Sequence, residues 1–307
     1  MQIAKPPLLG SLTPFTRILF SILLIIVCFS LIFFTGLLAA VPFTGLGLTD
    51  LMGNLSDYEN PQTLNLLRYF QVLQSFALFI VPALVAGYLF HGSSVGYLGL
   101  RHPSNGVAFL LVFALMFAAL PFINWMVTMN EMMKLPASLK EIEAWMKTTE
   151  TEAARLTAAF IKMDSFGIFL FNFFMIALLP AVGEELLFRG LLQRLLRDWL
   201  GNVHVAIFLT ALFFSAMHMQ FYGFLPRMML GVLFGYLFYW SGSLWLPIWA
   251  HLVNNGSVVI FAYLAQKGLF SGDYESFGAT DNLLVVLISA LTVAMVLFII
   301  RKRYETT

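Results

Sequence analysis

The stretch ILFSILLIIVCFSLIFFTGLLAAV, residues 18–41, decides the fold class. It contains no charged side chain and exceeds the roughly 20 apolar residues that a helix needs to cross a bilayer. The whole chain of 307 residues has the same character, with 60% hydrophobic and 11% charged residues. Soluble domains carry roughly 25% charged residues. The sequence therefore predicts an all-α, polytopic transmembrane helical bundle whose solvent is the lipid bilayer.

Seven further apolar blocks resemble the first one. They are Leu66–Phe90, Val107–Val127, Phe166–Val182, Val203–Met219, Leu225–Trp240, Leu246–Leu264 and Leu283–Ile300. We therefore predict about eight spans, although the sixth block is short and begins near Pro226 and Arg227. The first block is too long for the apolar region of a signal peptide, and no small-residue cleavage pattern follows it. We expect it to be a retained span.

Composition also excludes several partners and assigns a location. The single cysteine, Cys28, rules out a disulfide framework and a cysteine-based metal site. A net charge of +1 without a basic stripe argues against nucleic acid. Basic residues cluster on one face of an eight-span topology, which predicts that both termini are cytoplasmic. They are Lys5, Arg17, Arg101, Arg189, Arg194, Arg197, Arg301, Lys302 and Arg303. The absence of organelle-targeting features fits a bacterial plasma membrane, with a eukaryotic endomembrane as the alternative.

The sequence predicts one membrane domain with three parts. Residues 1–165 form a transmembrane scaffold that ends in a charged segment, 166–260 a core with polar residues inside its apolar blocks, and 261–307 a last span with a basic cytoplasmic tail. The charged segment, 128–164, carries Leu139, Ile142, Trp145 and Met146 at helical spacing. This pattern predicts an amphipathic helical segment at the membrane interface. We favour an interfacial linker, with a lid as the alternative, although its five basic residues oppose its external placement.

Three polar groups interrupt the apolar blocks of the core, where ionisable residues usually mark function. Glu184 and Glu185 project about 100° apart on a helix, so we expect different environments for them. Glu185 and Arg189 are spaced i, i+4 and can form an ion pair. His218 follows Phe214 near the end of the fifth block. His251 and Asn255 share one face of the seventh block, and Asn254 is predicted to point away from it.

Together these residues suggest hydrolysis of an amide bond. Water held between Glu184 and His218 could lose a proton and attack a carbonyl, while His251 and Asn255 stabilise the resulting oxyanion. Each group also has a plain structural interpretation. The acids could cap the following basic helix, His218 could be an interfacial group, and His251 with Asn255 could bond neighbouring helices.

The three motifs resemble those of the CAAX prenyl endopeptidase and bacteriocin-processing (CPBP) family of intramembrane proteases, also called Abi. Its pattern EExxxR, FxxxH and HxxxN matches residues 184–189, 214–218 and 251–255. The resemblance covers roughly residues 166–260. It implies a helical bundle with a membrane-embedded cavity, with Glu184 as base assisted by His218. It further implies an oxyanion hole of His251 and Asn255, and a supporting role for Glu185 and Arg189.

The resemblance leaves the cofactor and substrate open. The family has also been regarded as metal-dependent, and Glu184, His218 and His251 would supply His₂Glu ligands for Zn²⁺. Because HExxH is absent, we favour a mechanism with no cofactor. Substrates would be membrane-associated peptides or proteins, lipidated ones included, as in CAAX-type processing or in bacteriocin maturation and immunity. The sequence does not assign an oligomeric state. A proton-coupled transporter and a catalytically silent scaffold are the rival functions, although no internal repeat supports a transporter.

Overall fold

The computed structural model describes residues 7–45, 47, 55–101, 105–272 and 276–305. All secondary-structure elements within these ranges are helices, and no strand occurs there. The all-α prediction is therefore confirmed. Lys5, which contributed to the predicted orientation, lies outside the described residues. The helices are α1 (Pro14–Thr44), α2 (Pro61–His91), α3 (Ser94–Tyr97), α4 (Gly106–Ala118), α5 (Leu120–Glu131), α6 (Lys140–Ile161), α7 (Phe166–Leu200), α8 (Val203–Ala216), α9 (Phe224–Ser241), α10 (Trp245–Gln266) and α11 (Leu283–Glu305).

Local sequence signals explain where these helices begin and end. The Thr13 hydroxyl accepts a hydrogen bond from the backbone N–H of Thr16, and Pro14 opens α1. Asn202 caps α8 in the same way through its side-chain oxygen. Gly45 ends α1 at φ 68°, and Gly201 ends α7 at φ 67°. Positive φ favours glycine, because a Cβ atom is strained in that region.

The apolar helices correspond to the eight predicted blocks, but not all are long enough to be spans. Five described helices, α1, α2, α7, α10 and α11, are long and apolar enough to cross a membrane. The bent pair α4 and α5, which meet at 44°, would raise the number to six. At 1.5 Å per residue, the 14-residue α8 extends only about 21 Å, short of the bilayer core. The count of eight spans is therefore not confirmed.

Helices α8 and α9 form an antiparallel hairpin that packs against the second half of α7. Gly231 lies against Ala211, and Gly235 lies against Ile207. The two glycines, spaced i, i+4, thus allow the helices to approach closely. From α7, Arg189 donates to the backbone carbonyl of Gly231 at 3.0 Å. Gln193, one turn later, donates to that of Gly235 at 3.1 Å.

The start of α1 and the end of α11 lie at the same end of the bundle. The Phe15 ring packs on Trp199 near the end of α7, at 5.2 Å between ring centroids. Tyr304 of α11 packs in one cluster with Trp240 near the end of α9. Because α8 runs antiparallel to both α7 and α9, these two ends coincide. The cytoplasmic assignment of that end remains a prediction.

A first testable consequence concerns the contact between α8 and α9. A Cβ atom added at Gly231 would lie 2.9 Å from the Cβ of Ala211, closer than real Cβ contacts allow. We expect Gly231→Ala to lower the free energy of unfolding by about 1–3 kcal/mol, because the two helices must separate. Unfolding in detergent measures this effect. Gly106→Ala is the matched control, since nothing lies within 4 Å of its added Cβ; equal stability of both variants would contradict the prediction.

Candidate active site

Three helices bring the predicted site residues together. Glu184 and Glu185 close the α-helical stretch Leu179–Glu185 of α7, directly before the π-helical stretch Leu186–Leu192. His218 lies two residues after the end of α8, and His251 lies in the second turn of α10. A π-helical turn widens the helix locally and is frequent at functional sites. In this protein the π-helical stretch includes Arg189.

A buried network of charge and hydrogen bonds forms the floor of the site. Arg189 Nη1 lies 2.7 Å from Glu185 Oε1, so the i, i+4 ion pair that the sequence predicts is present. Both side chains have no exposed surface. The same Oε1 atom lies 2.9 Å from His251 Nδ1. Phe214 contributes its ring face, whose centroid lies 4.5 Å from the Arg189 guanidinium carbon. Such contacts lower the cost of burying a cation.

These contacts fix the orientation of both imidazoles. A carboxylate paired with arginine only accepts hydrogen bonds, so His251 must donate its Nδ1–H to Glu185. His218 Nδ1 lies 2.8 Å from the Phe214 carbonyl, which is also only an acceptor. In the neutral form of each ring, Nε2 is therefore the unprotonated nitrogen. Both Nε2 atoms face Glu184.

Glu184 Oε2 is the point at which the two imidazoles converge. It lies 3.9 Å from His218 Nε2 and 3.9 Å from His251 Nε2. Glu184 Oε2 is buried and has no hydrogen-bond partner among the described residues. The exposed fraction of the side chain is 27% for His218, 11% for Glu184 and 5% for His251. The cluster is therefore accessible from the His218 side.

The two acids lie in different environments, as predicted, although both face the same histidine. Glu185 is paired with Arg189 and contacts Nδ1 of His251, while Glu184 faces Nε2 of the same ring. An imidazole carries nitrogens on opposite sides and spans the angle between two adjacent side chains.

Asn255 lies on the same helix as His251, four residues later. Its Nδ2 donates to the Ile176 carbonyl of α7 at 3.3 Å, which uses one of its two N–H groups. Its Oδ1 accepts from Asn254 Nδ2 at 3.0 Å. Asn254 therefore supports the Asn255 amide directly instead of pointing away from it. The amide keeps one N–H for another acceptor.

The loop after His218 is held by residues that the sequence motifs did not identify. Asn130 of α5 accepts from the Leu225 N–H at 2.7 Å and donates to the Phe221 carbonyl at 2.9 Å. From α6, Glu150 accepts from the Tyr222 N–H at 2.9 Å. Trp145 packs on the Phe221 ring with centroids 5.4 Å apart. The predicted amphipathic segment is thus largely one helix, and it contacts the loop next to the site.

The donor types of Glu184, His218 and His251 would suit zinc, but their spacing is wide. Zinc–ligand distances of roughly 2.0–2.2 Å in a tetrahedral site place ligand atoms about 3.3 Å apart. The two Nε2 to Oε2 distances are 3.9 Å. Among the described residues, no group of three or more His, Cys, Asp or Glu side chains is arranged to hold a metal ion. We therefore derive no step through a metal.

Comparison with known proteins finds similarity over the part of the chain that carries the site. A curated relative, the uncharacterized protein YpbD of Bacillus subtilis (strain 168), is 30% identical over 82 residues. This match covers 25% of the chain and 39% of that protein. No solved structure matches. Residues 166–257 match the family described as type II CAAX prenyl endopeptidase Rce1-like, which confirms, for this part of the chain, the resemblance carried by the three motifs.

Proposed function

We propose that this membrane protein is an intramembrane endopeptidase of the CAAX type that hydrolyses peptide bonds through a glutamate-activated water. One observation carries the proposal, namely the convergence of His218 Nε2 and His251 Nε2 on one oxygen of Glu184, each at 3.9 Å. A water between these atoms would donate to acceptors on two sides. Its own lone pair would then be directed towards an incoming carbonyl carbon.

Glu184 is the general base in this proposal, assisted by His218. The carboxylate takes one proton from the water as the water oxygen bonds to the carbonyl carbon. The same proton then passes from Glu184 to the amide nitrogen as the C–N bond breaks. The products are a new carboxyl end and a new amine. General acid–base catalysis of this kind contributes typically 10²–10⁴-fold to a rate.

His251 and Asn255 stabilise the oxygen of the tetrahedral intermediate. Asn255 has a free N–H, because its other one is used by the Ile176 carbonyl. His251 can donate from Nε2 only when both ring nitrogens are protonated, because its Nδ1–H is used by Glu185. Glu185 holds the His251 ring in place through Nδ1, and Arg189 holds Glu185 in place. Glu185 and Arg189 therefore act through His251 as positioning residues.

Metal dependence is a separate prediction. Because the three donors are too far apart to act as zinc ligands without moving, we expect cleavage to continue after metal removal. The measurement combines the zinc content of the purified protein with its activity after treatment with a chelator. Stoichiometric zinc, with activity lost on chelation and restored by Zn²⁺, would contradict the proposed mechanism while leaving the endopeptidase function intact.

The function is tested by proteolysis with purified protein in liposomes. We expect cleavage of membrane-associated peptides by the unmodified chain and its loss in His218→Ala. His204→Ala is the control, since His204 lies at the start of α8, where its Nδ1 contacts Tyr236. Full activity in His218→Ala would refute the assignment. Proton-coupled flux without cleavage would favour a transporter, and the absence of both activities would favour a silent scaffold.

A further inference from the structure

A charged residue outside the three motifs lies next to the proposed site. Arg227 occupies the first turn of α9, directly after the loop that begins at His218. Its guanidinium is half-buried. Nη2 donates to Gln220 Oε1 at 2.6 Å, and Nη1 donates to the Gln220 carbonyl at 3.3 Å. These two bonds anchor the guanidinium to the loop but leave donors unused, because arginine has five N–H groups.

Arg227 has no carboxylate partner within the described part of the chain. None of the carboxylates there lies within the 4.0 Å that defines an ion pair with its guanidinium. Arg189, by contrast, is neutralised by Glu185 at 2.7 Å. Withdrawing an unpaired charge from water is costly, so buried cations are normally matched by an anion. The carboxylates whose charges act on Arg227 are those of Glu150 and Glu184, and neither lies within ion-pair distance of its guanidinium.

Loop packing holds this cation in place. A Cβ atom added at Gly223 would lie 3.2 Å from Arg227 Nη2 and 3.6 Å from Nη1. The guanidinium therefore lies directly against the loop backbone at a position where glycine leaves room for it. Gly223 has φ −102°, so alanine is sterically allowed there by the backbone. Gly223→Ala would displace the guanidinium without removing its charge.

From this geometry we propose that Arg227 binds a carboxylate of the peptide substrate and so sets which bond reaches Glu184. The inference rests on the proposed peptidase function. Arginine recognises carboxylates with paired N–H donors. The accessible side of the cluster is the His218 side, and Arg227 lies in the first turn of α9, after the loop that begins at His218. The carboxylate is either the free C-terminus of the peptide or an acidic side chain.

A binding experiment tests the proposal without requiring turnover. The protein carries Glu184→Gln to prevent cleavage. The probes are three fluorescent, palmitoylated hexapeptides of aliphatic residues: one with a free C-terminal carboxylate, one amidated, and one amidated with an aspartate inside the chain. We expect at least one of the two carboxylate-bearing probes to bind at least tenfold more tightly than the amidated probe without a carboxylate. The first and third probes distinguish a terminal carboxylate from a side-chain carboxylate.

Substitutions then connect the preference to Arg227. The preference should vanish in Arg227→Gln, persist in part in Arg227→Lys, weaken in Gly223→Ala and remain unchanged in Arg155→Gln. Arg155 is an exposed arginine that pairs with Glu152 on α6. Equal binding of acid and amide, or a preference that survives in Arg227→Gln, would overturn the proposal. An equal loss of affinity for the acid and the amide probes in Arg227→Gln would also overturn it, because this result would show that Arg227 has only a structural role.

The two proposals fail in different ways. In one outcome, the carboxylate probes bind selectively, but the chain with Glu184 intact cleaves neither them nor any other peptide. This outcome would refute the peptidase function but not the carboxylate site. Cleavage that depends on neither the substrate carboxylate nor Arg227 would refute the carboxylate site but not the peptidase function.

Discussion

Replacing Glu184 with glutamine is expected to lower kcat for peptide cleavage by roughly 10³-fold while the protein remains folded. The amide preserves the size of the side chain and still faces the two imidazoles, but it cannot accept the proton of the attacking water. KM should change little, because Glu184 acts mainly in the transition state. The measurement is steady-state cleavage in liposomes, accompanied by thermal unfolding to show that stability is retained.

Glu152→Gln provides the matched control for this prediction. Glu152 lies on α6, is about half-exposed and pairs with Arg155 at the protein surface. This substitution should leave kcat within about twofold of the value for the unmodified chain, because exposed ion pairs contribute little free energy. Retention of full activity in Glu184→Gln would remove the base on which the hydrolytic mechanism depends.

Breaking the buried ion pair should produce the largest loss of stability. We expect Arg189→Met to lower the free energy of unfolding by about 3–5 kcal/mol, because Glu185 is left charged and without its cation in a site with no exposed surface. Activity should also fall, because Glu185 holds the Nδ1–H of His251. Unfolding in detergent and the cleavage assay measure the two effects separately.

A second substitution separates charge from packing. Glu185→Gln combined with Arg189→Met removes both charges, so it should recover a large part of the stability but not the activity. Arg197→Met is the control, since Arg197 pairs with Asp198 in a half-exposed position. A double variant as unstable as Arg189→Met would show that the charge balance of the pair is not what stabilises this region.

The transmembrane class and the ion pair of Glu185 with Arg189 followed from the sequence because each has a local signal. An apolar run such as residues 18–41 specifies a lipid-facing helix, and Leu31 on α1 is indeed 63% exposed. The i, i+4 spacing of Glu185 and Arg189 specified their ion pair. The catalytic roles of Glu184, His218, His251 and Asn255 remain predictions that the experiments above test.

Contacts between distant segments could not be read from the sequence in the same way. Nothing in the motifs indicated that Glu185 would bond His251, 66 residues later. Gln193 lies one helical turn beyond Arg189, a spacing that could have suggested its bond to the Gly235 carbonyl. The sequence predicted no functional role for Arg227. Its place beside the His218 loop depends on a chain reversal that the hydropathy pattern does not encode.

The central claim is spatial, and an experimental structure that shows ordered water tests it most directly. The account predicts one water within hydrogen-bond reach of both Glu184 Oε2 and His218 Nε2, with His251 Nδ1 bonded to Glu185. A Glu184 side chain directed into lipid, or separated from both imidazoles by more than one bridging water, would contradict it.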